Sequence, residues 1–260
     1  MSGFAPHPGA APVPRMVASQ ARMELRLTLR RGESVLLTLV IPVLLLVLFG
    51  TVRLVDVDLD FLVPGVVALA VMSTAFTGQA IATGYERSYG VLKRLGATPL
   101  PRSGLLAGKT IAVLAVEVLQ ILVLVTVALL LGWRPMGGAG GGTGAGTALA
   151  FASLVALGTA AFSGLGLLMA GTLRAEATLA AANLVYVLLL VTGGVVFPLD
   201  RFPATVRTVL DLSPLAALSS GLRAVLASAP TAGGAGAAAL TLLGWAVVGL
   251  GAAALTFRWE

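Results

Sequence analysis

Cysteine is absent from these 260 residues, and histidine occurs once, as His7 near the start. Without thiols there is neither a disulfide framework nor a thiolate metal site. A single histidine leaves no His-Glu-x-x-His metal helix and no base to activate a buried serine. Ser163-Gly164 therefore reads as close-packing helix surface, not as a nucleophile. Charge is scarce as well: Asp, Glu, Lys and Arg make up 11% of the chain, where a soluble domain has about a quarter. No Asp lies inside any long apolar run, which removes an intramembrane aspartyl pair. The inventory thus offers no metal site and no catalytic residues.

What fills the chain instead is apolar, with 58% hydrophobic residues and a mean hydropathy of +1.00. Six runs are long enough to cross roughly 30 Å of hydrocarbon as helices rising about 1.5 Å per residue. They are about Val35 to Val52, Phe61 to Thr83, Thr110 to Trp133, Ala148 to Leu173, Ala177 to Phe197 and Ala237 to Phe257. Thirteen Val, Leu, Ile or Phe residues lie between Val35 and Phe49. At roughly −0.3 to −0.6 kcal/mol each they outweigh Thr38 and Pro42, so this run is expected to be a permanent span, not a cleaved signal. Membrane strands would alternate in polarity, and runs such as Leu44 to Phe49 do not. The predicted fold is all-α and polytopic, with backbone hydrogen bonds closed inside each span.

The net charge of +6 is read first as topology, without invoking nucleic acid. Six spans place both termini on one side. Twelve of the seventeen Lys and Arg residues fall on that side and five on the other, which predicts cytoplasmic termini. The acidic cluster Asp56, Asp58 and Asp60 then faces outward near Arg53.

Residues 1–14 read as a disordered cytoplasmic tail, rich in Pro and Gly. From Arg15 to Arg31, Val17, Ala21, Leu25 and Leu29 recur every four residues beside a stripe of Arg22, Arg26 and Arg30. That pattern predicts an amphipathic helix on the inner membrane surface, apolar side in lipid and guanidinium groups at phosphate level. The tight turn at Arg174 and Glu176 predicts that the fourth and fifth spans are antiparallel neighbours. Arg134 to Thr147 is an external Gly-rich linker with no phosphate-binding signature. Gly108-Lys109-Thr110 ends like a nucleotide-binding loop, but Ser103 stands where the first Gly is required and no strand precedes it. Any ATP must be handled by another polypeptide.

Between Phe197 and Leu226, Pro198, Pro203 and Pro214 separate pieces such as Ala204 to Leu212 and Leu215 to Leu226. Neither is long enough to span, and they suit a re-entrant or interfacial hairpin in the outer leaflet. Glu117 is the one charged residue inside the six runs, about 10 Å into the third. With Gln120 it is open to three roles: bonding a neighbouring helix, lining a substrate path, or carrying a proton. In the second run Ala70, Thr74, Gly78 and Ala82 form a small-residue stripe suited to close helix approach. The inner loop Gly84 to Lys109 begins with Glu86 and Arg87. It puts Val91, Leu92 and Leu95 on one side of a short helix, flanked by Lys93 and Arg94, and stops at Thr98-Pro99. An apolar face there needs lipid or a protein partner.

Three groups of residues together resemble the membrane subunits of ABC-2 type exporters, including drug-resistance permeases. They are Glu86-Arg87-x-x-Gly90-x-Leu92-x-x-Leu95-x-x-Thr98-Pro99; Pro42 in the first run; and Gly194-x-x-Phe197-Pro198 with Phe202-Pro203, Ser213-Pro214 and Leu222-Arg223. The resemblance runs from about Arg15 to the end. It implies a six-span permease paired with a second permease protomer, identical or paralogous, and with two copies of a soluble ABC ATPase. ATP and Mg would be bound by that ATPase and by nothing in this chain. It implies a coupling helix at Glu86 to Leu95, an interfacial helix at Arg15 to Arg31 and an external hairpin at Phe197 to Leu226. Ser88-Tyr89 departs from relatives, which often carry charges there. The expected function is export of an amphipathic drug or lipid-like substrate across a bacterial inner membrane. Two alternatives remain: a proton-coupled secondary transporter using Glu117, and a non-transporting scaffold that tethers a partner through Gly84 to Lys109.

Overall fold

The computed structural model describes residues 9–30, 32–51, 58–135, 144–195, 198–199, 202–226 and 234–256, with backbone alone for 32–37. All regular structure among them is helical: α1 (Val13–Arg30), α2 (Gly32–Thr51), α3 (Leu59–Met72), a π-turn (Ser73–Gly78), α4 (Gln79–Ser88), α5 (Val91–Gly96), α6 (Arg102–Leu130), α7 (Ala145–Thr172), α8 (Ala175–Thr192), α9 (Ala204–Asp211), α10 (Pro214–Leu226) and α11 (Gly234–Thr256). Five helical stretches among the described residues are long and apolar enough to cross a membrane, and a sixth is counted if the bent pair α9–α10 is one span. The first predicted run falls in α2, a helix of 20 residues that is not among those five, its fully described apolar part being the shorter Thr38–Thr51. The tail 1–8, Arg53, Asp56, Phe197 and most of the Gly-rich linker lie outside the described residues.

The second run is the hub. α3, the π-turn and α4 form one helix of 30 residues, Leu59–Ser88, and most of it is buried. At the π-turn the Gln79 N–H donates to Thr74 O, five residues back. One residue more per turn shifts the phase of everything that follows. The four-residue stripe Ala70, Thr74, Gly78, Ala82 is therefore split, because its two halves no longer share a face. Close approach is made elsewhere. A Cβ on Gly166 of α7 would lie 2.8 Å from Phe76 O, and one on Gly164 would lie 2.6 Å from Leu250 N in α11. α7 and α11 touch backbone to backbone at Gly164 and Gly249, as small residues permit.

Two neighbour relations differ from the sequence expectation. After the turn at Arg174, α8 lies chiefly along α4 and the π-turn, with less contact to α7. α1 packs along α6, and its buried residues are Gln20, Ala21 and Glu24, not the stripe Val17, Ala21, Leu25, Leu29. Of that stripe Ala21 alone is buried, Val17 and Leu25 are partly covered and Leu29 is exposed; Arg22, Arg26 and Arg30 are exposed as expected. The reason is electrostatic: Glu24 turns inward to meet a lysine on α6, and the helix rotates with it.

The segment before the last span is broken where the prolines predicted, and α9 meets α10 at 86°. The halves are unequal. α9 buries no residue, whereas α10 buries ten, Leu215 and Leu218 among them, against α3, α7 and α11.

Candidate functional site

At one end of the bundle α1 and α4 meet α6 at Lys109. Its Nζ lies 2.7 Å from Glu24 and 2.6 Å from Glu86, and its side chain is 4% exposed. Gln20 donates to Glu24 Oε1 at 2.8 Å, and the missing side chain of Gly108 makes room for Gln20. Arg87, next to Glu86, turns the other way and donates to Ala170 O and Leu173 O at 2.8 and 2.5 Å, at the end of α7. A cation there complements the negative end of that helix. Two adjacent residues thus fasten the end of α4 to three other helices.

The coupling segment is shorter than predicted. Glu86 and Arg87 belong to the last turns of α4, the chain reverses at Tyr89 and Gly90, and α5 has six residues. Gly90 sits at φ +71°, a left-handed conformation that ends one helix before the next begins. Leu92 is 0% exposed and packs with Leu100, Leu105, Leu106, Leu167 and Ala253. The apolar residue expected to meet a partner is therefore core. Tyr89, Val91, Lys93, Arg94, Thr98 and Pro99 are exposed, Leu95 is half-buried, and Tyr89 stacks on Tyr85 with ring centroids 6.1 Å apart.

The middle of the bundle holds a polar cluster. Glu117 and Gln120 are fully buried on α6. Gln120 accepts from Thr74 at 2.8 Å and donates to Thr38 of α2 at 3.0 Å. Thr159 of α7 donates to Glu117 Oε2. Glu117 Oε1, Ser163 Oγ, Thr77 Oγ1 and both amide atoms of Gln79 are buried without a hydrogen-bond partner. Of the two Glu117 oxygens, one bonds α7 through Thr159 and the other has no hydrogen-bond partner among the described residues.

At the other end Arg223 of α10 donates to Phe61 O at 3.0 Å and Gly194 O at 2.6 Å, with its guanidinium 3.6 Å from the Phe61 ring centroid. It joins the start of α3 and the last turn of α10 to the end of α8. Gly65 leaves the space, since a Cβ there would lie 2.7 Å from Val195 O. Trp133 donates to Asp60 at 2.9 Å, linking the ends of α6 and α3. Pro203 precedes α9 and Pro214 begins α10, while Pro198 is half-buried before them.

Sequence reasoning missed Glu24, Lys109 and Thr159. The available signal was that Lys109 is one of only two lysines, placed at the foot of an apolar run where an unpaired ammonium is costly.

These features define a class: a multi-pass membrane protein with a fastened, partly solvent-facing segment at one end and a polar interior. The family of ABC-2 type transporters matches residues 19–227, and the chain belongs to that family. Membership makes it the membrane component of an ABC transporter and implies an ATPase partner. No curated protein matches the chain.

Proposed function

We propose that the chain is the permease of an ATP-driven exporter of amphipathic, drug-like or lipid-like cargo. Two protomers enclose the path and two ATPase subunits dock at Tyr89 to Pro99. Both termini are cytoplasmic in a bacterial inner membrane, α1 lies at the inner interface, and α9–α10 is a hairpin at the outer leaflet. Glu117 and Gln120 line the path. One observation carries the reading: Lys109 ties the α4 end of the docking segment to α1 and α6 through Glu24 and Glu86, so a push on that segment reaches the spans. The ATPase's nucleotide state must favour one bundle conformation over the other for work to be transmitted.

The test uses the outward face, because Leu92 and Glu86 are engaged within the chain and their replacement would disturb the fold as well. With an ABC ATPase that co-purifies with it, the chain is reconstituted in vesicles, and Val91→Asp/Arg94→Glu is compared with wild type. The double variant is expected to keep its unfolding temperature while ATP hydrolysis no longer drives export. Unchanged export, or no ATPase bound to the wild-type chain, overturns the proposal.

A further inference from the structure

Among the described residues Glu117 forms no ion pair and its Oε1 has no hydrogen-bond partner. An ionised carboxylate in such a setting costs several kcal/mol unless a positive group joins it. Around it the helices present hydroxyl and amide groups, which can both donate and accept. Thr159 sits on Oε2, Ser163 lies one turn further along α7, and Gln120 lies nearly a turn along α6 with Thr74 attached. Gly166 brings α7 against the carbonyls of Ala75 and Phe76 in the π-turn, and Thr77 and Gln79 follow directly. Among the described residues the buried groups left without partners are Glu117 Oε1, Gln79 Oε1 and Nε2, and the hydroxyls of Ser163, Thr77 and Thr83; Gln79 Oε1 is a pure acceptor, and so is Glu117 Oε1 when the carboxylate is charged. Buried polar atoms are nearly always satisfied, so several orphans in neighbouring turns mark a place that another molecule fills, and the carboxylate oxygen among them calls for a donor.

We propose that this cluster binds the protonated amine of the cargo, with Glu117 Oε1 as its counter-charge and Ser163 and Gln79 as further acceptors. The proposal rests on the transport reading above and narrows its substrate class. A primary ammonium has three N–H donors and one positive charge, which match a carboxylate surrounded by hydroxyl and amide oxygens. A neutral amphiphile leaves the carboxylate uncompensated, and a quaternary ammonium supplies charge without donors. The π-turn gives the site a means of opening, since such turns interrupt regular bonding in the helix that walls it. Gln120 stays bonded to Thr74 and Thr38 and positions α6.

The chain alone, in nanodiscs, is titrated with an environment-sensitive dye carrying a primary alkylamine, with its N-acetylated form and with its trimethylammonium form. Wild type is expected to prefer the amine over the acetylated dye by roughly ten- to hundredfold, the trimethylammonium form falling between. Glu117→Gln removes the preference and Glu117→Asp keeps part of it. Ser163→Ala weakens amine binding several-fold while leaving the unfolding temperature unchanged or higher, because it deletes an unsatisfied hydroxyl. That opposition of binding and stability is not expected of a merely structural serine. Equal affinity for amine and acetylated dye in wild type, or a preference that survives Glu117→Gln, overturns the proposal. So does competition by sodium, which would make the cluster an inorganic cation site. ATPase docking is read separately, so failure of the amine site leaves the exporter reading standing, and amine binding is measurable even if no ATPase docks.

Discussion

Lys109 holds two mostly buried carboxylates, so its removal has a larger effect than the removal of either acid. Lys109→Met leaves Glu24 and Glu86 facing each other, and breaking a buried pair costs about 3–5 kcal/mol. Glu24→Gln costs less, because the contact to Glu86 survives. Thermal unfolding of the solubilised chain checks the order, and equal midpoints for the two variants would contradict it. Leu92→Ala is expected to cost about 2–5 kcal/mol, as a deletion in a packed cluster. Both residues show the limit of reading by spacing. The pattern around Glu86 and Leu92 correctly marks a short helix after an apolar run. Which carboxylate meets Lys109, 23 residues away, depends on how α4 and α6 pack, and no local period encodes that.

Helices were the most legible feature, because a run that must cross hydrocarbon leaves its length and composition in the chain. The break between α9 and α10 was legible too, through Ser213-Pro214. The π-turn was not: Ser73 to Gly78 has no residue that distinguishes a π-turn from an α-helix, and the phase shift it imposes undid the stripe expected there. Gly90 ended α4 where a longer coupling helix was expected, since a glycine in a loop does not announce a left-handed φ. The α7–α11 pair offers a test at this scale. Gly164→Val must push the two backbones apart and is expected to destabilise by roughly 1–3 kcal/mol. Gly251→Ala, two residues past Gly249 with open space at its Cβ, is expected to be neutral or slightly stabilising in the same unfolding assay.

For the whole molecule the lack of cysteine becomes an advantage, because any introduced thiol is the only one. Tyr89→Cys and Val209→Cys sit at exposed positions, 74% and 68%, on segments assigned to opposite faces of the membrane. In intact cells an impermeant thiol reagent is expected to modify the second at once and the first only after permeabilisation; labelling of both together would reverse or abolish the proposed topology. The interior was the least legible part. Glu117 was conspicuous as a charge among apolar residues, but its bond from Thr159 and its unpartnered second oxygen exist only once α6 and α7 meet. The spans also differ in reach. α6 has 29 residues, about 43 Å, and α8 has 18, about 27 Å, so no single slab of lipid suits both upright. α6 must lean or project from the membrane while α8 pulls the surrounding lipid thin, and any rocking of the bundle changes that mismatch. In the proposed transport cycle the acyl-chain length of the host membrane thereby acts as a mechanical load, short chains relieving α8 while worsening the mismatch of α6 and long chains doing the reverse.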